Sequence, residues 1–189
     1  MKRSFTTRAL HLLLTVAIVH QLFISLIMKI PRHGRPGNTG FELHEYVGIA
    51  SMGIIVAFWF WTLVRRSEHG IGEILPWFSA SRRRALYDDI LTHLRAIRRF
   101  DLPRADAATP LASAIHGLGL LAASAMAGTG TIIFFLMAPD GSLSDFGKVM
   151  LDLHQLLSNL MWAYLIAHAS IAVLHQLKGH TVLQRIFGF

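Results

Sequence analysis

The sequence predicts an all-α integral membrane protein: a four-helix bundle with an amphipathic cytoplasmic helix between helices two and three. Composition points there first, since 53% of the 189 residues are hydrophobic and only 15% are charged. The distribution points there too. Charge is largely excluded from four stretches, Ala9–Met28, His44–Val64, Leu111–Met137 and Val149–His175, and each reaches the ~20 residues that a membrane span requires. A soluble chain of this size has no interior large enough for four such helices. The third observation is a set of histidines at matched depths within them, taken up below.

Helix one is expected to stay in the membrane. Met1-Lys2-Arg3 leads into a full-length span that contains His11 and His20, and no small-residue cleavage site follows it. The loop Lys29–Glu42 holds Pro31, Gly34, Pro36, Gly37 and Gly40 and reads as irregular. Helix two ends in Trp59-Phe60-Trp61 and Arg65-Arg66, which reads as an aromatic and basic anchor at the cytoplasmic interface.

The segment Ser67–Pro110 is the largest polar region. Within it, Ser81–Phe100 sets Leu86, Ile90, Leu94 and Ile97 on one side, with Arg82, Arg95, Arg98 and Arg99 mostly elsewhere. The pattern predicts an amphipathic helix ended by Pro103, serving either to anchor on the membrane surface or to dock a soluble partner. Helix three carries small residues four apart, Gly119, Ala123, Ala127 and Thr131. They read equally as close helix packing and as room for the flat face of a porphyrin. Pro139 and Gly141 make the turn of the short loop Ala138–Lys148. Nothing marks a domain boundary, so residues 1–189 read as one domain.

Orientation follows from Lys and Arg. The N-terminus, the central loop and the C-terminal tail carry fourteen, against four (Lys29, Arg32, Arg35, Lys148) on the other side. Both termini are therefore expected in the cytoplasm, the basic flanks lying against anionic lipid. The net charge of +7 reflects this topology. Nucleic acid is a poor candidate partner, because no soluble domain carries the basic residues. With no cysteine in the chain, disulfides, thiolate-held clusters and covalent haem attachment are excluded.

Seven of the eleven histidines fall in or at the ends of the spans, where ionisable groups are costly and are functional candidates by default. His154 and His168 are fourteen residues apart on one helix. They differ by about 40° around its axis and about 21 Å along it, so one helix offers an imidazole near each edge of a ~30 Å hydrocarbon core. His44 opens helix two at the level of His154, where Glu45 and Asp152 mark the approach of water. His11 lies about 28 Å from the outer end of helix one, matching His168 in depth. The expected pairs are His44–His154 on the outer side and His11–His168 on the inner. Two neutral imidazoles fill both axial positions of a haem iron, which suits electron transfer and leaves no open site for oxygen activation. Two stacked pairs are what a transmembrane di-haem cytochrome needs.

The other histidines carry weaker expectations. His20, about 180° from His11, should pack or hydrogen-bond elsewhere. His175 reads as an alternative ligand, a quinone contact or an interfacial residue. His116 opens helix three on the inner side and is a candidate quinone contact, and Arg8 is a candidate contact for inner haem propionates or quinone. His33, His69, His93 and His180 are expected to face water.

These residues resemble the bacterial cytochrome b561/nickel-hydrogenase b-type cytochrome family. The resemblance rests on R-A-L-H at Arg8–His11, E-L-H-E-Y-V-G at Glu42–Gly48, D-L-H-Q-L-L-S-N-L at Asp152–Leu160, A-H-A-S at Ala167–Ser170 and the ending K-G-H-T-V-L-Q-R-I-F at Lys178–Phe187. It covers nearly the whole chain. It implies a four-helix core with two b haems, held by His11, His44, His154 and His168, and quinone chemistry at one membrane face. Some members stand alone, including one that oxidises superoxide and reduces ubiquinone; others are membrane subunits of hydrogenases or formate dehydrogenases. The stretch Asp88–Pro103 looks more like the dehydrogenase-associated or generic electron-transfer members.

The leading expectation is therefore electron transfer across a bacterial inner membrane between the quinone pool and a redox partner protein or dehydrogenase subunit. The alternative is a stand-alone superoxide:ubiquinone oxidoreductase, for which the outer cations Lys29, Arg32, Arg35 and Lys148 would attract the anion. A metal-ion transporter fits poorly, because the spans lack paired carboxylates at mid-membrane. A haem-free structural anchor leaves the matched histidines unexplained.

Overall fold

A computed structural model describes residues 4–32, 35–65, 71–99, 101, 103 and 109–187. Among these there is no β-strand, and the long elements are all helices: α1 (Phe5–Ile24), α2 (Thr39–Val64), α4 (Ala80–Ile97), α5 (Pro110–Leu136) and α6 (Asp145–Leu177). Two short helices, α3 (Ile71–Ile74) and α7 (Val182–Phe187), and a 3-10 turn at Pro76–Phe78 complete the chain. Helices α1, α2, α5 and α6 are long and apolar enough to cross a membrane. Their large apolar side chains stay exposed along the spans, among them Val16, Val56, Phe60, Phe135, Leu160 and Ile166. Such a surface needs lipid around it. The chain is a multi-pass membrane protein.

Each span begins at a polar cap. Ser4 Oγ accepts the Thr7 N–H at 3.2 Å, Asn38 Oδ1 the Phe41 N–H at 3.1 Å, Thr109 Oγ1 the Ala112 N–H at 3.3 Å, and Ser144 Oγ the Gly147 N–H at 3.2 Å. All four are side chains bonding the third residue of the helix, which satisfies a donor that the helix itself leaves unpaired. The caps explain why the helices start at Phe5, Thr39, Pro110 and Asp145, one to five residues before the apolar stretches begin. His44 consequently sits at the sixth position of α2 rather than opening it. The loop expected to be irregular through Glu42 gives way to helix at Thr39. Helix α1 stops at Ile24 instead of reaching Met28, its last turn tightening through bonds from Leu26 N to Phe23 O and Ile27 N to Ile24 O.

The described contacts divide the chain into two compact units, each with a segment of α1, α2, α5 and α6. One unit comprises Met1–Arg8, Trp59–Leu120 and Tyr164–Phe189. Its core includes Thr7, Thr62 and Pro76 as fully buried side chains. Thr7 Oγ1 accepts hydrogen bonds from Trp61 Nε1 at 2.9 Å and from the Ser4 hydroxyl at 3.0 Å. Trp61, expected as an interfacial anchor, is thus turned toward a buried threonine. Asp89 on α4 accepts the Leu111 N–H at 2.9 Å, adding a second cap to the start of α5. Helix α4 runs over Ala80–Ile97, inside the expected Ser81–Phe100 but for one residue, with Leu86 and Ile90 half-buried and Leu94 and Ile97 exposed. The segment α3 and the 3-10 turn were not legible as helices, being too short for an apolar period to register. At the end of α6, Gly179 takes a φ of +82° and returns the chain toward α7.

The other unit comprises Ala9–Phe58 and Leu121–Ala163. Here Asn38 joins two helix ends: Oδ1 also accepts the Lys29 N–H at 2.8 Å, and Nδ2 donates to Ile27 O at 3.2 Å. The Ala138–Lys148 turn is made as expected, with Gly141 at φ +80° and its N–H on Ala138 O at 2.8 Å.

Candidate functional site

In the Ala9–Phe58/Leu121–Ala163 unit, His44 on α2 and His154 on α6 face each other. Their ring centroids are 6.2 Å apart and the rings are nearly perpendicular, at 88°. Both line an apolar cleft of about 960 Å³, open mouth included. Ala123, Ala127 and Thr131 of the small-residue stripe line it as well. Gly130, which is not part of that stripe, admits the His154 ring: a Cβ there would lie 3.1 Å from His154 Cε1.

A hydroxyl on α5 faces the His154 ring. The ring Nδ1 lies 2.9 Å from Thr129 Oγ1. The Thr129 hydroxyl proton is directed to its own helix, toward Ala125 O at 2.9 Å and Met126 O at 3.0 Å. With its proton on either carbonyl, Oγ1 is an acceptor for a His154 that carries its proton on Nδ1 and keeps the lone pair on Nε2. On the other wall, Gln21 Nε2 donates to the His44 carbonyl at 2.8 Å. His44 Nδ1, Gln21 Oε1 and Thr131 Oγ1 are buried without a hydrogen-bond partner. Unsatisfied polar atoms beside a large apolar cleft are what a bound group would explain.

These residues fit a haem. Two metal–imidazole bonds of about 2 Å plus two ring half-widths span about 6 Å, the separation observed. The free lone pair on His154 Nε2 is the form an iron takes, and an apolar cleft suits a porphyrin.

In the other unit, His116 on α5 lies beside His168 on α6, with ring centroids 5.4 Å apart at 84°. His116 Nδ1 lies 2.6 Å from Ala112 O. A carbonyl only accepts, so this imidazole donates from Nδ1. Tyr164 stacks on His168 at 5.4 Å and 12°, and its hydroxyl donates to Ile115 O at 3.2 Å. A Cβ on Gly119 would lie 2.2 Å from the Tyr164 hydroxyl oxygen. The stripe on α5 thus divides in role, Gly119 making room for a tyrosine while Ala123, Ala127 and Thr131 line the cleft.

His11 is half-buried at the seventh position of α1. By the division above it belongs with the His44 unit, and His168 belongs with the other. Arg8 has a buried Nε without a hydrogen-bond partner, as does His20 at Nδ1. His175 is 8% exposed and its Nδ1 lies 2.9 Å from His180 Nδ1. His180, expected in water, is half-buried against it. His93 likewise turns inward, with 20% of its side chain exposed and Nδ1 3.2 Å from Asp89 Oδ1. Both depart from expectation because neighbouring polar groups, invisible to loop composition, hold the rings. His33 and His69 lie outside the described residues. Of the expected cationic patch, Lys148 is paired with Asp145 at 2.9 Å.

Sequence reasoning missed Thr129, Gly130, Gln21 and Tyr164. The signals for the last two were present: a polar residue within a span, and a tyrosine one helical turn before His168. Thr129 and Gly130 gave none, since small residues populate the whole of α5.

Four apolar spans, histidines facing one another within them and a cleft that fits a porphyrin define the class of haem-binding membrane cytochromes. A family model described as prokaryotic cytochrome b561 matches residues 2–189, and the chain belongs to that family. No curated protein and no solved structure matches it significantly. Membership carries b-type haem and transmembrane electron transfer in a bacterial membrane.

Proposed function

We propose that the protein moves electrons across the bacterial inner membrane through two b-type haems, between the quinone pool and a redox partner protein or dehydrogenase subunit. The observation that carries this reading is the His44–His154 pair, 6.2 Å apart in an apolar cleft. These two residues would hold one haem. Bound haem supplies a one-electron centre whose axial positions are both filled. The chain's own groups do the rest. Thr129 orients His154, the Gln21 amide braces the His44 backbone, and the apolar lining keeps water from the centre.

For the second haem, His168 is one ligand. The matched depth of His11 supports it as the partner, and His116, beside His168 with Nδ1 on the Ala112 carbonyl, is the second candidate. Arg8, with its unsatisfied Nε, suits a propionate. Quinone is assigned to the face that holds His175 and His116, where an imidazole can hydrogen-bond its carbonyl. The Lys and Arg asymmetry supports cytoplasmic termini.

The test is haem content per polypeptide from reduced-minus-oxidised spectra, on wild type, His44→Ala and His168→Ala. Two b haems, one lost in each variant, is the expected result. A single haem in wild type overturns the two-haem reading, and none in folded protein overturns haem binding altogether.

A further inference from the structure

We propose that Thr129 is a positioning residue that holds His154 in its Nδ1–H form and, through that bond, strengthens His154 as an electron donor to iron. The inference rests on the reading of His154 as an axial ligand. A helical threonine commonly bonds a carbonyl one turn back, and alone that bond means little. Here the oxygen has a second partner. Thr129 is 7% exposed and its Oγ1 faces His154 Nδ1 at 2.9 Å, across from α5 to α6. Its one proton can go to the Ala125 or the Met126 carbonyl, and with the proton there the oxygen meets the ring as an acceptor. An imidazole that donates from Nδ1 is more basic at Nε2 and cannot swing or change tautomer freely. The ring is also confined sideways by Gly130, where a Cβ would already be in tight contact.

The two facing histidines are therefore unequal. Nδ1 of His154 has an acceptor, whereas Nδ1 of His44 is buried with none. The bond that would tune electron donation from His154 comes from α5. A more basic ligand favours the ferric state, so the bond should hold the potential of this haem down.

The experiment uses full-length protein purified from membranes with its native haem. Thr129→Val, Thr129→Ala, Thr129→Ser and His154→Ala are compared by haem content, redox titration and the g-values of the ferric haem. Thr129→Val should keep its haem, raise the potential of one haem, shift that haem's g-values and leave the other unchanged. Thr129→Ser should restore both readouts. Should Val exclude haem by shape, Ala removes the hydroxyl without that bulk and carries the same comparison. Loss of this haem from Val and Ala with retention in Ser also supports a requirement for the hydroxyl. Wild-type potentials and g-values in Val and Ala overturn the proposal, as does failure of Ser to restore them or to keep its haem. Full haem content in His154→Ala overturns the ligand reading itself, a separate failure.

Discussion

Gly119 and Tyr164 interlock: a single added methyl at position 119 would fall 2.2 Å from the tyrosine hydroxyl oxygen and 2.4 Å from Cζ. The tyrosine in turn stacks on His168 and bonds the Ile115 carbonyl. A glycine on one helix thus sets the ring environment of a histidine on another. Gly119→Ala should force that ring aside, at a cost of about 1–3 kcal/mol. Thermal unfolding in detergent should show the loss, and the absorption band of the haem proposed at His168 should shift with it. Unchanged unfolding would refute the interlock.

Asp89 ties α4 to the start of α5 through the Leu111 amide. Asp89→Ala removes that cap and the contact to His93, and should destabilise the protein by about 1 kcal/mol. Asn, which keeps an acceptor oxygen, should recover most of it. Hydrogen exchange at Leu111 reads the effect directly: protection in the Ala variant equal to wild type would count against the cap.

A substitution at Gly130 distinguishes the two proposed haems. Leucine there would occupy the space of the His154 ring and the cleft beside it. Gly130→Leu is expected to lose one haem per polypeptide and keep the other, by reduced-minus-oxidised spectra. Retention of both would mean that the cleft is not a haem site.

The buried contact of His175 with His180 gives a test of the quinone assignment. His175→Ala should slow reduction of the haems by added quinol severalfold without changing their number or spectra. An unaltered rate would move the quinone site elsewhere, with His116→Ala the next variant to measure.

Leu160 lies at the middle of α6 with 56% of its surface exposed. If that surface meets lipid, Leu160→Arg should disfavour insertion by roughly 2.5–3.5 kcal/mol. A membrane-insertion assay on this helix would reveal it, and normal insertion would argue that the face is covered by protein.

What the sequence determined by itself was the fold class, the four spans, the family and the histidines at matched depths. These follow from two robust signals. Exclusion of charge over ~20 residues has one common physical cause, and helical geometry converts spacing into depth and face. The amphipathic α4 was legible for the same reason.

The tertiary structure decided what surrounds each histidine. Depth puts His44 level with His154, but only packing brings the rings to 6.2 Å and adds Thr129 behind one of them. Depth paired His168 with His11 as an expectation, and packing added His116 and Tyr164 beside His168. The caps at Ser4, Asn38, Thr109 and Ser144 moved the helix starts, Asp89 one turn back on α4 drew His93 out of water, and His175 drew in His180. The ring contacts and the Thr129 bond share one physical reason. Burial of apolar length is a property of one segment and is written locally, whereas a hydrogen bond or a ring contact joins two helices, and its second member is chosen only when the helices pack.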